Sequence, residues 1–136
     1  MKATLTVLGS GTSMGVPTIG CNCAVCHSID PRDRRTRPSV LIEYAGRNVL
    51  IDTTPDFREQ AIRENIRRLD AVLYTHAHAD HILGIDDLRP LSFLHKPNRL
   101  PLYAHPPKQE GQHQTILPRV PSPPLSRYMR KTDFGI

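Results

Sequence analysis

Apolar and polar residues alternate from Lys2 to Leu8, and the same period of two returns in Ser39–Tyr44 and Arg47–Ile51. Each stretch is predicted as a β-strand, and Ala45-Gly46 joins the last two as a hairpin. Asp70–Tyr74 and Leu100–Ala104 read as two further strands. Between them the period lengthens. Ile62, Ile66 and Leu69 share one face of a helix that opens at Thr54-Pro55, or at the alternative cap of Asp56 with Glu59, and ends before Asp70. A second helical segment is predicted from Asp86 to Leu94. Gly9–Pro38 is too long for an idle loop in a compact domain and points to a functional excursion. Beyond His105 neither period persists, and six of the thirteen prolines fall between Pro106 and Pro124. Residues 1–105 are therefore expected to carry the fold, with 106–136 a loosely packed or disordered tail.

Where the fourth predicted strand ends, the chain reads Thr75-His76-Ala77-His78-Ala79-Asp80-His81. An extended H-x-H pair throws both imidazoles to one side of the chain. Asp80 and His81, being adjacent, are expected to point apart, so two neighbouring metal positions satisfy the pattern. One is held by His76 and His78, the other by Asp80 and His81. Imidazole with some carboxylate suits Zn, Mn or Fe better than Ca or Mg. Two such ions can clamp the oxygens of a displacement and make hydroxide from water at neutral pH.

Composition narrows the setting. The chain of 136 residues is expected to form one domain with a modest core. It has no apolar run of membrane-spanning length, and Met1-Lys2-Ala3-Thr4 lacks the apolar stretch of a signal peptide, so a cytoplasmic protein is expected. The net charge of +5 divides into +2 over residues 1–105 and +3 over 106–136. Aromatic content is low and no long basic stripe carries interleaved aromatics, so nucleic acid is not the expected partner. Arg32, Arg34, Arg35 and Arg37 form a local basic run, either a solvated loop or a contact for an anionic substrate.

H-x-H-x-D-H after a short apolar strand resembles the signature of the metallo-β-lactamase superfamily. Further features agree in order: Leu5–Leu8 running into Gly9-Ser10-Gly11-Thr12-Ser13-Met14-Gly15-Val16-Pro17, then Cys21-Asn22-Cys23-Ala24-Val25-Cys26. Val49-Leu50-Ile51-Asp52-Thr53 and Gly84-Ile85-Asp86-Asp87-Leu88-Arg89 complete the set. Together they are similar to the branch containing the cyclic phosphodiesterase of phosphonate breakdown. The resemblance implies an α/β (α+β) fold, an αββα sandwich, of which residues 1–105 would supply the N-terminal half. It implies a metal-dependent hydrolase, acting on a phosphodiester in a small phosphate-containing substrate through a metal-activated hydroxide. Ester or thioester hydrolysis on the same fold is the alternative. His76, His78, Asp80 and His81 would hold two divalent ions, Zn or Mn, with Asp80 also counted at the catalytic centre. Asp52 matches the buried aspartate that orients the metal loop, although an ordinary strand-end or capping aspartate reads the same way.

The family's second half normally adds another His, a bridging Asp and a final His. Here only His95, His105, His113 and Asp133 lie downstream of the Asp86-Asp87 pair, none in a matching context. A truncated or frameshifted gene is the expectation, with feeble catalysis by this chain alone or a non-catalytic zinc-binding remnant. A missing second sheet would also leave apolar surface for self-association.

Cys21, Cys23 and Cys26 are close enough to grip one soft ion as thiolates, and in the phosphonate-pathway relative such a trio binds a structural zinc with a distant histidine. His27 is the local substitute, and reduced thiols on a loop are the other reading. Cys23-Ala24-Val25-Cys26-His27 also matches the covalent-haem pattern, which the absent export signal disfavours. The glycines between Gly9 and Gly15 do not fit a dinucleotide fingerprint and are expected to bring backbone close to the metal loop. Asp87 and Arg89 are equally a surface ion pair or a phosphate contact.

Overall fold

A computed structural model describes residues 2–93, 100–104 and 130–132. Six strands form one mixed sheet in chain order: β1 (Ala3–Gly9), β2 (Ser39–Tyr44), β3 (Arg47–Ile51), β4 (Ala71–Tyr74), β5 (Leu102–Ala104) and β6 (Arg130–Thr132). β1, β2 and β3 pair antiparallel, β4 and β5 extend the sheet in parallel, and β6 closes its far edge antiparallel to β5. Three residues of the Pro-rich tail thus join the sheet. Residues 105–129 and 133–136, with His105, His113 and Asp133, lie outside the described residues, as does His95.

The registers show why the sequence alternates. Leu41 stands opposite Leu50, Leu50 beside Val72, and Val72 beside Leu102, one row across four strands. All four side chains are buried, together with Phe57, Ile66, Leu69, Ile82, Leu88 and Leu91 from the segments that cover this face. Each such leucine withdrawn from water contributes roughly 1.5–3 kcal/mol. On the other face Leu5, Ile42, Val49 and Ala71 form a second row, and Val7, Val40, Ile51, Leu73 and Tyr103 a third. Leu5 is 63% and Val7 56% exposed, so among the described residues that apolar face has no covering layer at its β1 edge.

The hairpin has the predicted bounds, with Ala45 and Gly46 both at positive φ as its two-residue turn requires. The helices differ from expectation. α1 covers only Phe57–Arg63, and its buried positions are Phe57 and Gln60, while Ile62 is 65% exposed. Asn65 stops it: in the left-handed region at φ 52 it donates to Ile62 O while Ile66 reaches back to Ala61 O at 2.8 Å. That is a six-to-one helix termination, and it turns Ile66 and Leu69 into the core from outside the helix. Of the two proposed starts, Asp56 takes the N-cap position, though its side chain makes no capping hydrogen bond, and Pro55 lies before the helix. Thr54 Oγ1 accepts from Asp56 N–H, and the Asp56 carboxylate is taken by Arg37. The segment predicted as one helix from Asp86 is instead the end of a 3-10 helix over Leu83–Leu88 running into α3 (Arg89–Phe93), and a further short turn, α2 (Ala79–Ile82), precedes them. Among the described residues no helix is long and apolar enough to cross a membrane.

Candidate metal centre

The site lies where β3 and β4 run out side by side. Their parallel pairing brings Asp52, just past β3, level with Thr75, just past β4, and Asp52 N–H donates to Leu73 O at 2.9 Å. Asp52 holds φ at 61, a region that non-glycine residues rarely occupy but Asp tolerates. The turn aims its buried carboxylate back across the sheet end. Oδ1 accepts from Thr75 N–H at 2.8 Å, and Oδ2 contacts Thr75 Oγ1 and His81 Nδ1, each at 2.7 Å.

His81 is brought there by a backbone clamp. Thr53 N–H donates to His81 O at 2.8 Å, and Gly84 N–H donates to Thr53 O at 3.0 Å. A Cβ on Gly84 would sit 2.0 Å from Thr54 O, so only glycine allows this approach. Beneath the clamp, the fully buried Thr53 hydroxyl meets Tyr74 OH at 2.9 Å. Burial raises the Tyr74 phenol to about 12, with the Asp52 charge adding and the Thr53 contact opposing.

The four expected ligands converge. His76 Nε2 lies 3.0 Å from His78 Nδ1, and His81 Nε2 lies 3.2 Å from Asp80 Oδ2. The His76 and His81 rings stand 4.0 Å apart between centroids, so the two pairs adjoin. The premise that Asp80 and His81 must point apart does not hold. That geometry belongs to an extended chain, whereas Ala79–Ile82 is a helical turn with His78 as its cap. Two nitrogens on one tetrahedral zinc stand about 3.3 Å apart for Zn–N bonds of about 2.0–2.1 Å. Each pair therefore offers donors at chelating separation, and the donor chemistry fits a divalent ion of the Zn or Mn kind. No three of these four side chains bring ligand atoms within 4.8 Å of one another, so they do not form one closed group as they stand.

Cys21, Cys23 and Cys26 do form such a closed group, with sulfurs all within 4.8 Å. Cys26 N–H points at Cys23 Sγ at 3.5 Å, and Thr18 N–H at Cys26 Sγ at 3.4 Å. Hydrogen bonding from the Cys26 backbone, then from the Cys21 and Cys26 side chains, lowers the Cys23 thiol to about 7. For Cys26 the Thr18 N–H lowers the pKa, but contacts with Cys21 and Cys23 and partial burial outweigh it and raise the thiol. His27 is not in the group; its Nε2 is turned to Asn22 Oδ1 at 3.2 Å. Three sulfurs at this separation fit one zinc, for which Zn–S is about 2.3 Å.

Three of the remaining candidate arginines have carboxylate partners within the chain. Arg32 is paired with Asp30 and Arg37 with Asp56, while Arg89 reaches Asp86 at 3.4 Å rather than Asp87. Gly9 brings backbone close to Arg37 O, 2.0 Å from where its Cβ would stand, and not to the metal loop as expected. Sequence reasoning missed Thr53, Thr75 and the role of Gly84. A glycine inside an otherwise helical pattern was the available signal for the last.

The family model for the β-lactamase superfamily domain matches residues 47–125, a span that takes in Asp52, Thr75 and the histidine loop. A crystallised diphosphatase of the PhnP family is 70% identical with a TM-score of 0.72, over 74% of this chain and 41% of that one. An octanoyltransferase of Porphyromonas gingivalis is 60% identical over 84 residues, 61% of this chain and 17% of its own length. A ribonuclease Z of Bradyrhizobium diazoefficiens is 45% identical over 60 residues, 43% of this chain and 20% of its own. The chain thus spans less than half the length of each. Since the matched span holds both the carboxylate and the four converging ligands, and covers more than half of the chain, this protein belongs to the β-lactamase superfamily.

Proposed function

We propose that the chain carries the metal-binding half of a metal-dependent phosphohydrolase, with a phosphodiester as substrate. The observation that carries this reading is the pair of adjoining donor sets, His76 with His78 and Asp80 with His81. Two divalent ions held there would supply Lewis acidity toward phosphoryl oxygens and a nucleophile at neutral pH. The protein's own part is to fix the donors. Asp52 and Thr75 occupy the Nδ1 atoms of His81 and His76 and turn both Nε2 atoms into the site. Thr53 and Gly84 hold the turn that carries Asp80.

Phosphorus chemistry is favoured by the relatives. A diphosphatase and a ribonuclease both cleave bonds to phosphorus, and the diphosphatase similarity extends over three quarters of this chain. The octanoyltransferase and ribonuclease Z matches span only 17% and 20% of those proteins, so the diphosphatase, 70% identical over 41% of its own length, carries the choice. The trio of cysteines is proposed to hold one structural zinc, pinning the excursion between β1 and β2. The chain is proposed to act in the cytoplasm, on a small phosphate-containing molecule.

Hydrolysis of bis-p-nitrophenyl phosphate, of a dinucleoside diphosphate and of p-nitrophenyl acetate should be compared with Mn or Zn added. Metal-dependent release from a phosphorus substrate, lost in His78→Ala, is expected of the chain once joined to a family second half. Turnover of the acetate alone would transfer the reading to ester hydrolysis. No turnover of any substrate by the joined protein would leave a metal-binding remnant.

A further inference from the structure

Hydrogen-bond protons at the sheet end can be counted, and the count identifies a residue outside the ligand set. Asp52, as a carboxylate, has no proton to give, so all its contacts are acceptances. Thr75 Oγ1 lies 2.7 Å from Asp52 Oδ2 and its single proton is spent there. The same oxygen lies 2.9 Å from His76 Nδ1. With the hydroxyl proton committed, that contact is made only if His76 Nδ1 carries the hydrogen and donates it. His76 is then the Nδ1–H tautomer, with its lone pair on Nε2, the atom that faces His78 at 3.0 Å.

We propose that Thr75 is a positioning residue that transmits the orientation set by Asp52 to His76, so that one buried carboxylate fixes a ligand in each of the two metal pairs. His81 is reached directly, through Nδ1 at 2.7 Å, and His76 through the threonine hydroxyl. The backbone supports this assignment. Thr75 N–H donates to Asp52 Oδ1 at 2.8 Å, so the residue is held at both its amide and its hydroxyl. Valine has the same shape as threonine but cannot pass a hydrogen bond on. Serine can.

This proposal rests on the reading of His76 as a metal ligand, but its first test needs neither metal nor turnover. In the full chain without metal, long-range proton–nitrogen NMR correlations of labelled histidine distinguish the two neutral tautomers. We expect His76 as Nδ1–H in the wild type and in Thr75→Ser, and displaced toward Nε2–H in Thr75→Val. A wild-type His76 protonated on Nε2, or a Thr75→Val spectrum identical to the wild type, overturns the relay. Zinc titration then reads its consequence. Losing such an outer hydrogen bond lowers metal affinity roughly 10–100-fold, so Thr75→Val should bind zinc at the histidine loop at least about tenfold more weakly, with Thr75→Ser close to the wild type. Equal affinity in all three overturns it. Should Thr75→Val not fold, the wild-type tautomer and the serine rescue still decide. The tautomer pattern without hydrolysis would defeat the functional reading and leave the relay standing.

Discussion

The histidine loop and the cysteine trio are both metal-type donor sets, yet they are built in opposite ways. The trio is local: its contacts join Thr18 to Cys26 and Cys23 to Cys26, all within one surface excursion. The histidine loop is assembled from a distance. Asp52 reaches Thr75 and His81, and Thr53 meets the backbone of His81 and Gly84, across a sheet end and a helical turn. The first can form wherever its short segment goes; the second exists only when β3, β4 and the segment from Ala79 to Gly84 are packed together. Local sites are tied to sequence, and assembled sites to the fold.

The sharpest way to break this contrast is Asp52→Ala. It removes the acceptor for three hydrogen bonds at once. Zinc affinity at the histidine loop should fall by about one to two orders of magnitude, while the cysteine-held zinc stays. Isothermal titration with elemental analysis reads both, and parallel loss at the two sites would show that they are not independent. Cys23→Ser is the converse. It should remove about one zinc per chain that otherwise survives mild EDTA, leaving the histidine loop's affinity unchanged. Full zinc content in that variant would remove the trio from the metal inventory.

A smaller effect is expected from Gly84→Ala. The added methyl meets Thr54 O at 2.0 Å, so the clamp must open, at a cost of roughly 1–3 kcal/mol of stability. Urea unfolding measures this, and an unshifted midpoint would mean that the turn relaxes freely. The mildest test uses acidity. Thiolate, the alkylating form, accumulates as pH rises through the pKa. In metal-free chain, iodoacetamide at pH near 7 should modify Cys23, lowered to about 7, ahead of Cys26, whose thiol is raised. Equal rates at the two would contradict the hydrogen-bond pattern of the loop.

The same division between local and assembled features explains what could be read from the sequence. The β2–β3 hairpin, β4 and the donor loop were legible because alternation and a two-residue turn are local signals. The length of α1 was not. Ile62, Ile66 and Leu69 have helical spacing, but Asn65 in the left-handed region ends the helix and Ile62 faces solvent. Asp56 takes the N-cap position as expected, but its carboxylate makes no capping bond and binds Arg37, nineteen residues earlier in the chain. The extended geometry assumed for Asp80 and His81 failed because a helical turn starts at Ala79. Thr75 and Thr53 carry no sequence mark at all; their importance arises only where two strands end level.

The backbone of Asp52 also bears on how this site could change under selection. At φ 61 the position admits glycine, asparagine and aspartate with little strain, and few other side chains. Glycine brings no acceptor. Asparagine keeps the length and one carbonyl oxygen but cannot accept on both sides. Glutamate is too long for contacts at 2.7–2.8 Å, and its backbone would be strained. In a saturation library at position 52, the neighbourhood of functional sequences should therefore be almost empty, with asparagine as the only single-step variant to retain partial metal retention. A site of this kind drifts through its outer donors and its neighbours, while its anchor stays fixed for reasons of backbone shape as much as of charge.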